Sequence, residues 1–284
     1  MGADADMAYL LNPAMPVLMR PDGTVQIGWH PRRAVVVRPP AGLTTSALAT
    51  LLRAMKSPIT VTELGELARR AGPARSDELE SMIGQLVAAG VAEPVPHRAR
   101  RHAASIRVHG RGPLSDLMVS ALRCSGAVVR QSSGRATAMH DTDLVVLADY
   151  LAADPHVVRD LHHTATPHLS VRVRDGTGLV GPMVIPGVTS CLACADLHRS
   201  EHDAAWPAVA DQLRDTVGSA DRATMLATAA LAINQVDRVL RVLNGSEGRR
   251  RPEPPPTLDT TLEFDVCANS IVARRWTRHP RCFC

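Results

Sequence analysis

The chain has 284 residues, 45% of them apolar and 21% charged, which suits one large folded domain or two ordinary ones and excludes wholesale disorder. Of 32 basic residues only Lys56 is a lysine, aromatic residues make up 2%, and the net charge is a modest +4, so a base-stacking nucleic-acid binder is disfavoured and no lysine chemistry is open to the chain beyond residue 56. No apolar run nears the roughly 18 residues of a membrane helix, and the opening MGADADMAYLLNPAMP has no basic leader, so a cytoplasmic protein without a membrane partner is expected.

Residues 1–93 read as three short strands followed by three helices. The strands are Val17–Arg20, Val25–Gly28 and Arg33–Arg38, with Asp22-Gly23 as a turn signal between the first two. The first helix carries Leu43, Leu48, Leu51, Leu52 and Met55. A second opens at Thr60 with Glu63 three residues on, a capping box, and ends at Gly72. The third begins near Ser76, stripes Leu79, Met82, Ile83, Leu86 and Val87 at helical spacing, and is capped by Gly90. Val91–Glu93 reads as a short wing, so the order of elements predicts a winged-helix domain over residues 1–99. Pro94–His102, Pro-punctuated and basic, reads as a linker.

Residues 100–284 alternate strand and helix, which predicts an α/β domain on a mostly parallel sheet. Strands are expected at Ser105–His109, Ala127–Gln131, Asp143–Ala148, His168–Val173 and Leu179–Ile185, and helices at Leu114–Cys124 and Val157–His162. A long helix spans Ala220 to Leu243, with Leu226, Ala230, Ile233, Val236, Val239 and Leu243 as its apolar face. The run from Arg249 to Pro256 is a loop, and Thr257–Val266 and Ser270–Trp276 close the chain as a hairpin.

Six cysteines stand at 124, 191, 194, 267, 282 and 284. Cys191 and Cys194 form a C-x-x-C pair, and Cys282 and Cys284 a C-x-C pair. Without a secretion signal such pairs read as metal ligands, and two short loops giving two thiolates each is the common way to build a structural, four-sulfur zinc site. His279 is the reserve ligand, while Cys124 and Cys267 are expected in the core.

A second motif, Gly110-Arg111-Gly112-Pro113-Leu114-Ser115, follows a strand and opens a helix, as phosphate-cradling turns do. Ser115 stands in place of a third glycine, and Pro113 removes an amide donor. The next strand ends Arg130-Gln131-Ser132 rather than in the acid that holds a ribose. The cluster Asp196, His198, Arg199, His202, Asp203 and Trp206 pairs no nucleophile with a base. It is expected to hydrogen-bond a neighbouring loop rather than catalyse, and His162 and His163 are expected at the surface.

On these residues the second half resembles the E1-like superfamily of ThiF and MoeB type, whose members adenylate a carboxyl terminus. The segment GPMVIPGVTSCLACADLHRSEHDAAWPAVADQL is similar to E1-like, cyclodehydratase-associated proteins of azole/azoline peptide pathways, in which an N-terminal winged helix recognises a precursor peptide. The resemblance implies a Rossmann-type sheet, the zinc site, a homodimer, and a nucleotide cradle at Gly110 and Gly112 with Asp149 where a magnesium-contacting aspartate lies. The lysine that active members place on the triphosphate has no counterpart here, and Gln131 replaces the ribose acid. Losing several charge contacts to a triphosphate removes much of the transition-state stabilisation, so ATP and magnesium are not expected as cofactors.

The fitting expectation is a carrier that binds a precursor leader peptide and presents it to a YcaO-type cyclodehydratase, a partner that uses ATP itself. The leader would pair with the strand edge at Val35, Val36 and Val37 beside a helix carrying Glu78 and Met82. An ATP-dependent adenylating enzyme is the alternative. A winged-helix DNA regulator is a third reading, but the third helix begins Ser76-Asp77-Glu78-Leu79-Glu80 and has no Lys or Arg from 76 to 89, which repels a phosphate backbone.

Overall fold

The computed structural model describes residues 7–96, 104–125, 127–134, 141–243 and 254–284. These fall into two compact units, the first taking residues 7–96 and the second those from 104 on. Residues 1–6 of the chain start, 97–102 of the expected linker with the expected boundary near 100, and 249–253 of the expected loop lie outside the described residues.

In the first unit, β1 (Met7–Leu11), β2 (Val17–Met19), β3 (Val25–Ile27) and β4 (Val35–Val37) precede α1 (Thr45–Ala54), β5 (Ile59–Thr60), α2 (Val61–Ala71), α3 (Ser76–Ala88) and β6 (Ala92–Pro96). Two antiparallel sheets result, ordered β5-β1-β6 and β2-β3-β4. Each helix begins or ends where its sequence supplies a partner for the free backbone groups. The Thr44 hydroxyl accepts from Ala47 N–H at 3.1 Å. Thr60 and Glu63 cap α2 reciprocally, at 3.2 and 2.9 Å. After α3, Val91 N–H donates to Leu86 C=O and Gly90 N–H to Val87 C=O, the paired bonds of a Schellman stop. Leu48, Leu51, Leu52, Met55, Leu64 and Leu86 fill the core between helices and strands.

β1 was not expected, and β6 overruns the start of the expected linker. Pro94 and Pro96 lie within β6, opposite Tyr9 and Met7. Prolines two residues apart present their missing N–H to the same side of a strand, and β6 is an edge, so the ladder to β1 survives both.

The second unit runs β7 (Ser105–His109), α4 (Pro113–Arg123), β8 (Val128–Ser132), β9 (Leu144–Ala148), α5 (Pro155–His163), β10 (His168–Arg174), β11 (Thr177–Val184), α6 (Leu192–His202), α7 (Trp206–Leu213), α8 (Arg222–Leu243), β12 (Thr260–Asp265) and β13 (Ser270–Arg275). Among the described residues its sheet has seven strands, ordered β13-β12-β11-β10-β9-β7-β8. One face packs on α4 and α8, the other on α5 and α6.

The sheet is mixed rather than mostly parallel. β8, β7, β9 and β10 are parallel, whereas the three pairings from β10 out to β13 are antiparallel. The cause is local. Asp175 and Gly176, with φ of 51° and 81°, form a two-residue turn between β10 and β11, and so short a connection joins only antiparallel strands.

The buried face of α8 also differs from the expected stripe. Met225, Ala229, Ala232, Val236 and Leu240 point inward with Thr224, Thr228 and Gln235, while Leu226 and Leu243 are exposed. The polar members are satisfied inside. Thr228 donates to Thr224 C=O at 2.7 Å, and Thr257 donates to the Gln235 side chain at 3.4 Å. Val236 is buried as expected and Ile233 and Val239 pack against the core, so the buried face overlaps the expected stripe but is rotated from it toward the threonines and Gln235. Cys124 and Cys267, expected in the core, are both exposed, the first at the C-cap of α4 and the second in the turn between β12 and β13.

His163 is exposed, but His162 is half-buried with its ring centre 5.9 Å from that of His168. His168 is fully buried on β10. Its Nδ1–H donates to Thr166 C=O at 3.1 Å, and its Nε2 has no hydrogen-bond partner. Burial lowers its pKa to about 4. The unfolded chain takes up this proton near pH 6.5 while the native state refuses it until about 4, so acidification across that interval favours unfolding by about 3 kcal/mol. Urea unfolding at pH 7 and pH 4 should show that loss in the parent, and a smaller pH dependence by about that amount in His168→Phe.

Candidate functional site

The residues of chemical interest lie in three places: the cysteine pairs, the glycine turn, and the edge of the smaller unit. Cys191 is the N-cap of α6, and Cys194 stands one turn in, so a single helix start presents both thiols. Cys282 and Cys284 approach from the chain end. The sulfurs of Cys191 and Cys194 are 3.8 Å apart, those of Cys191 and Cys282 3.5 Å, and those of Cys194 and Cys284 3.5 Å. Thiolates at about 2.3 Å from a tetrahedral ion stand about 3.8 Å from one another, so the four positions fit a metal ion and are too far apart for disulfides. Burial pushes the Cys191 and Cys284 thiols up. At Cys194 burial is outweighed by the backbone N–H groups of His279 and Cys191 and by the thiols of Cys284 and Cys282, which bring it down to about 7. The four cysteines can hold a metal without His279.

His279 has another task. It is buried, with Nε2 2.9 Å from Glu201 Oε1, close but poorly aligned for a hydrogen bond. Its ring packs edge-on against His198 at 4.7 Å. These three side chains lie near enough together to suggest a second ion, but hydrogen bonding argues against it. Arg281 N–H donates to His279 Nδ1 at 3.1 Å, which puts the ring hydrogen on Nε2 and leaves that nitrogen no lone pair for a metal. His198 Nε2 meanwhile donates to Thr277 C=O at 3.1 Å. Both rings pin the chain end to α6.

At the glycine turn, Asp149 follows β9 as expected, in the left-handed region at φ 72° and fully buried. Its carboxylate enters the turn itself. Oδ1 accepts from Leu114 N–H at 2.9 Å and Oδ2 from Ser115 N–H at 3.2 Å, which caps the N-terminus of α4 from 35 residues away. The glycines make room for it. A Cβ on Gly110 would lie 2.9 Å from Asp149 Oδ2 and 2.5 Å from Ala148 C=O, and one on Gly112 would lie 2.8 Å from Asp149 Oδ1. Gly112 N–H donates to the Ser115 hydroxyl and Gly110 N–H to Ser132 C=O, so these amides are taken too. Gln131 turns its amide onto the Asp116 carboxylate at 3.2 Å. The cradle is filled by the protein's own acid.

In the smaller unit β4 is an edge strand, with Val36 half exposed and Val35 and Val37 partly so. An open groove of about 560 Å³ runs between it and α3, lined by Val36, Val37, Arg38, Asp77, Glu78 and Met82. Two of the expected contact residues have structural duties here. Met82 is 5% exposed and belongs to the core, and the Glu78 carboxylate accepts from Ala41 N–H at 2.8 Å, holding the loop after β4 against α3. The Asp196 cluster ties α6 to α7. Asp196 accepts from Arg199 at 2.9 Å and from Trp206 Nε1 at 3.1 Å, and Arg199 lies between the rings of Trp206 and Trp276 at 4.9 and 5.2 Å. His202 and Asp203 are exposed. Asp149 stands at the turn as expected, but the expected role was contact with magnesium, whereas its carboxylate caps α4 through Leu114 and Ser115.

Comparison with known proteins places the fold. The sequence matches no protein-family model and no curated protein. Among solved structures, the heterocyclase TruD is similar at TM-score 0.63 and 17% identity, over 98% of this chain and 42% of that one. A heterocyclase in complex with substrate and cofactor is similar at TM-score 0.65 and 14% identity, over 97% and 39%. E. coli MccB with MccA-N7isoASN is similar at TM-score 0.54 and 12% identity, over 97% and 99%. At such identities the likeness is one of fold, and this chain spans about two fifths of the heterocyclases' length. Among the described residues no helix is long and apolar enough to cross a membrane.

Two measurements test the geometry. Cys191→Ser should lose most of the divalent metal that the purified parent carries by elemental analysis, with faster amide exchange over residues 277–284; unchanged metal content would dismiss the four-sulfur site. Asp149→Ala should cost about 2–3 kcal/mol in urea unfolding, because two buried N–H groups lose a charged acceptor, and Asp149→Asn should cost less.

Proposed function

We propose that this protein binds the leader of a ribosomally made precursor peptide and presents it to a YcaO-type cyclodehydratase, without adenylating anything itself. The observation that carries the reading is the open edge of β4 beside α3, where an extended segment can add a strand and lay side chains into the groove. On this reading the first unit is a winged-helix recognition element, main-chain pairing along Val35, Val36 and Val37 gives affinity, and the rims at Glu78 and Met82 shape the pockets. The heterocyclase neighbours, one of them held with substrate and cofactor, support a place in peptide heterocycle formation. The cysteine set is proposed to hold zinc, since four thiolates suit that ion and leave no open position for catalysis. A carrier of this kind would act as a homodimer.

The lack of adenylation is supported by Asp149. A phosphate entering the turn would meet a buried carboxylate already bonded to the amides it needs. Like charges at hydrogen-bond distance repel strongly where water is excluded.

Fluorescence anisotropy tests the proposal, using labelled synthetic peptides made from whatever short reading frames genome sequencing finds beside this protein's gene. Saturable binding is expected, at least tenfold weaker in Val36→Asp with the melting temperature unchanged. No binding at 100-fold protein excess would refute it. Magnesium ATP added to the same sample should neither bind nor support pyrophosphate exchange; exchange would select the adenylating alternative.

A further inference from the structure

Arg172 has no role in the reading above. It lies on β10, is about nine-tenths buried, and its side chain lines a cavity of about 290 Å³ in the second unit. Among the described residues its side chain makes one hydrogen bond, from Nη1 to the Ser170 hydroxyl at 2.9 Å. Among the described residues no carboxylate lies within ion-pair distance of its guanidinium. The other two arginines of the cavity are paired, Arg174 with Glu263 at 3.3 Å and Arg199 with Asp196 at 2.9 Å. Asp196 is further held by Trp206, and Asp175 is the remaining acid on the wall.

A guanidinium has five N–H donors and stays charged in nearly every protein setting. Burial, with Arg199 nearby, lowers this one's pKa only to about 10, so it is a cation at neutral pH. Asp196 favours the charge from a distance but is engaged by Arg199 and Trp206, and a buried cation with no carboxylate in contact is costly to keep unless something supplies the acceptors. The rest of the wall is apolar or aromatic, with Leu151, Leu192, Ala195, Leu213 and Trp276 around the charge. The volume sits at the low end for ligand pockets, too small for a nucleotide and large enough for a short acid.

We propose that this cavity binds a small oxyanion, a carboxylate or phosphate on a short apolar body, with Arg172 as the group that grips it. The site is independent of leader binding. The acid can be a free metabolite or the side chain of an incoming peptide, since both offer the same head group to a guanidinium fork.

Trp206 and Trp276 line the cavity, and Trp29 is the chain's third tryptophan, 81% exposed in the other unit. In a Trp29→Phe background the emission therefore reports on the site. The protein is titrated at constant ionic strength with inorganic phosphate, butyrate, or a blocked tripeptide amide carrying a central glutamate, with chloride as control. At least one anion should give a saturable change, weakened tenfold or more in Arg172→Leu. Saturation by phosphate or by butyrate identifies the head group, and tighter binding of the blocked peptide than of butyrate identifies a peptide as its source. Responses no different from chloride for all three would overturn the proposal, as would an Arg172→Leu variant that binds as tightly as the parent. Should Arg172→Leu fail to fold by circular dichroism, Arg172→Lys keeps the charge and loses the fork. It should bind several-fold more weakly, and unchanged affinity in that variant would also count against the site.

Discussion

Four sulfurs, all within 4.8 Å of one another, join the start of α6 to a segment ninety residues later. Much of the second unit hangs on that junction. It sets where α6 begins, and α6 carries Asp196 and Arg199. It also returns the segment after β13, which brings Trp276 onto Arg199 and His279 onto Glu201. These secondary contacts are exposed or modest by themselves, and an exposed pair such as Arg281 with Glu201 contributes little. These contacts gather around the place where the two cysteine pairs meet.

The glycine turn shows a different economy of groups. In a phosphate-binding turn the free amides of a helix start wait for an anion brought by the ligand. Here the anion comes from the neighbouring strand. The same three features serve both arrangements: glycines that permit close approach, a helix start rich in donors, and an acid after a parallel strand. Fold likeness to MccB, one structure of which contains ATP at TM-score 0.53, is therefore compatible with a turn committed to internal structure. What separates the two cases is which oxygen atoms the amides of Leu114 and Ser115 receive.

How far these arrangements can be read from the sequence depends on the range of the interaction that fixes them. The Thr60–Glu63 box, the stop after α3 and the strand Ser105–His109 are set within a few residues, and they stand where expected. The cysteine pairs were legible for the same reason, since each pair is local and only their meeting is not. The antiparallel half of the sheet was also local, written in Asp175-Gly176, but the strand–helix alternation around it suggested a parallel sheet. Other features had no local signature. β1 depends on partners about fifty and eighty-five residues away. The inward face of α8 depends on threonine and glutamine side chains finding acceptors. The role of Asp149 depends on a positive φ that places its carboxylate against α4.

The prolines of β6 have a consequence for how copies of this protein meet. A strand whose outer side lacks amide hydrogens at positions 94 and 96 cannot template another backbone, so that border resists the strand-to-strand stacking from which fibrils grow. β4 carries three valines and no such guard on its own border. A cell that makes this chain in quantity thus faces an aggregation risk at the edge proposed above for recognition, and a bound segment there would act as a protective cover.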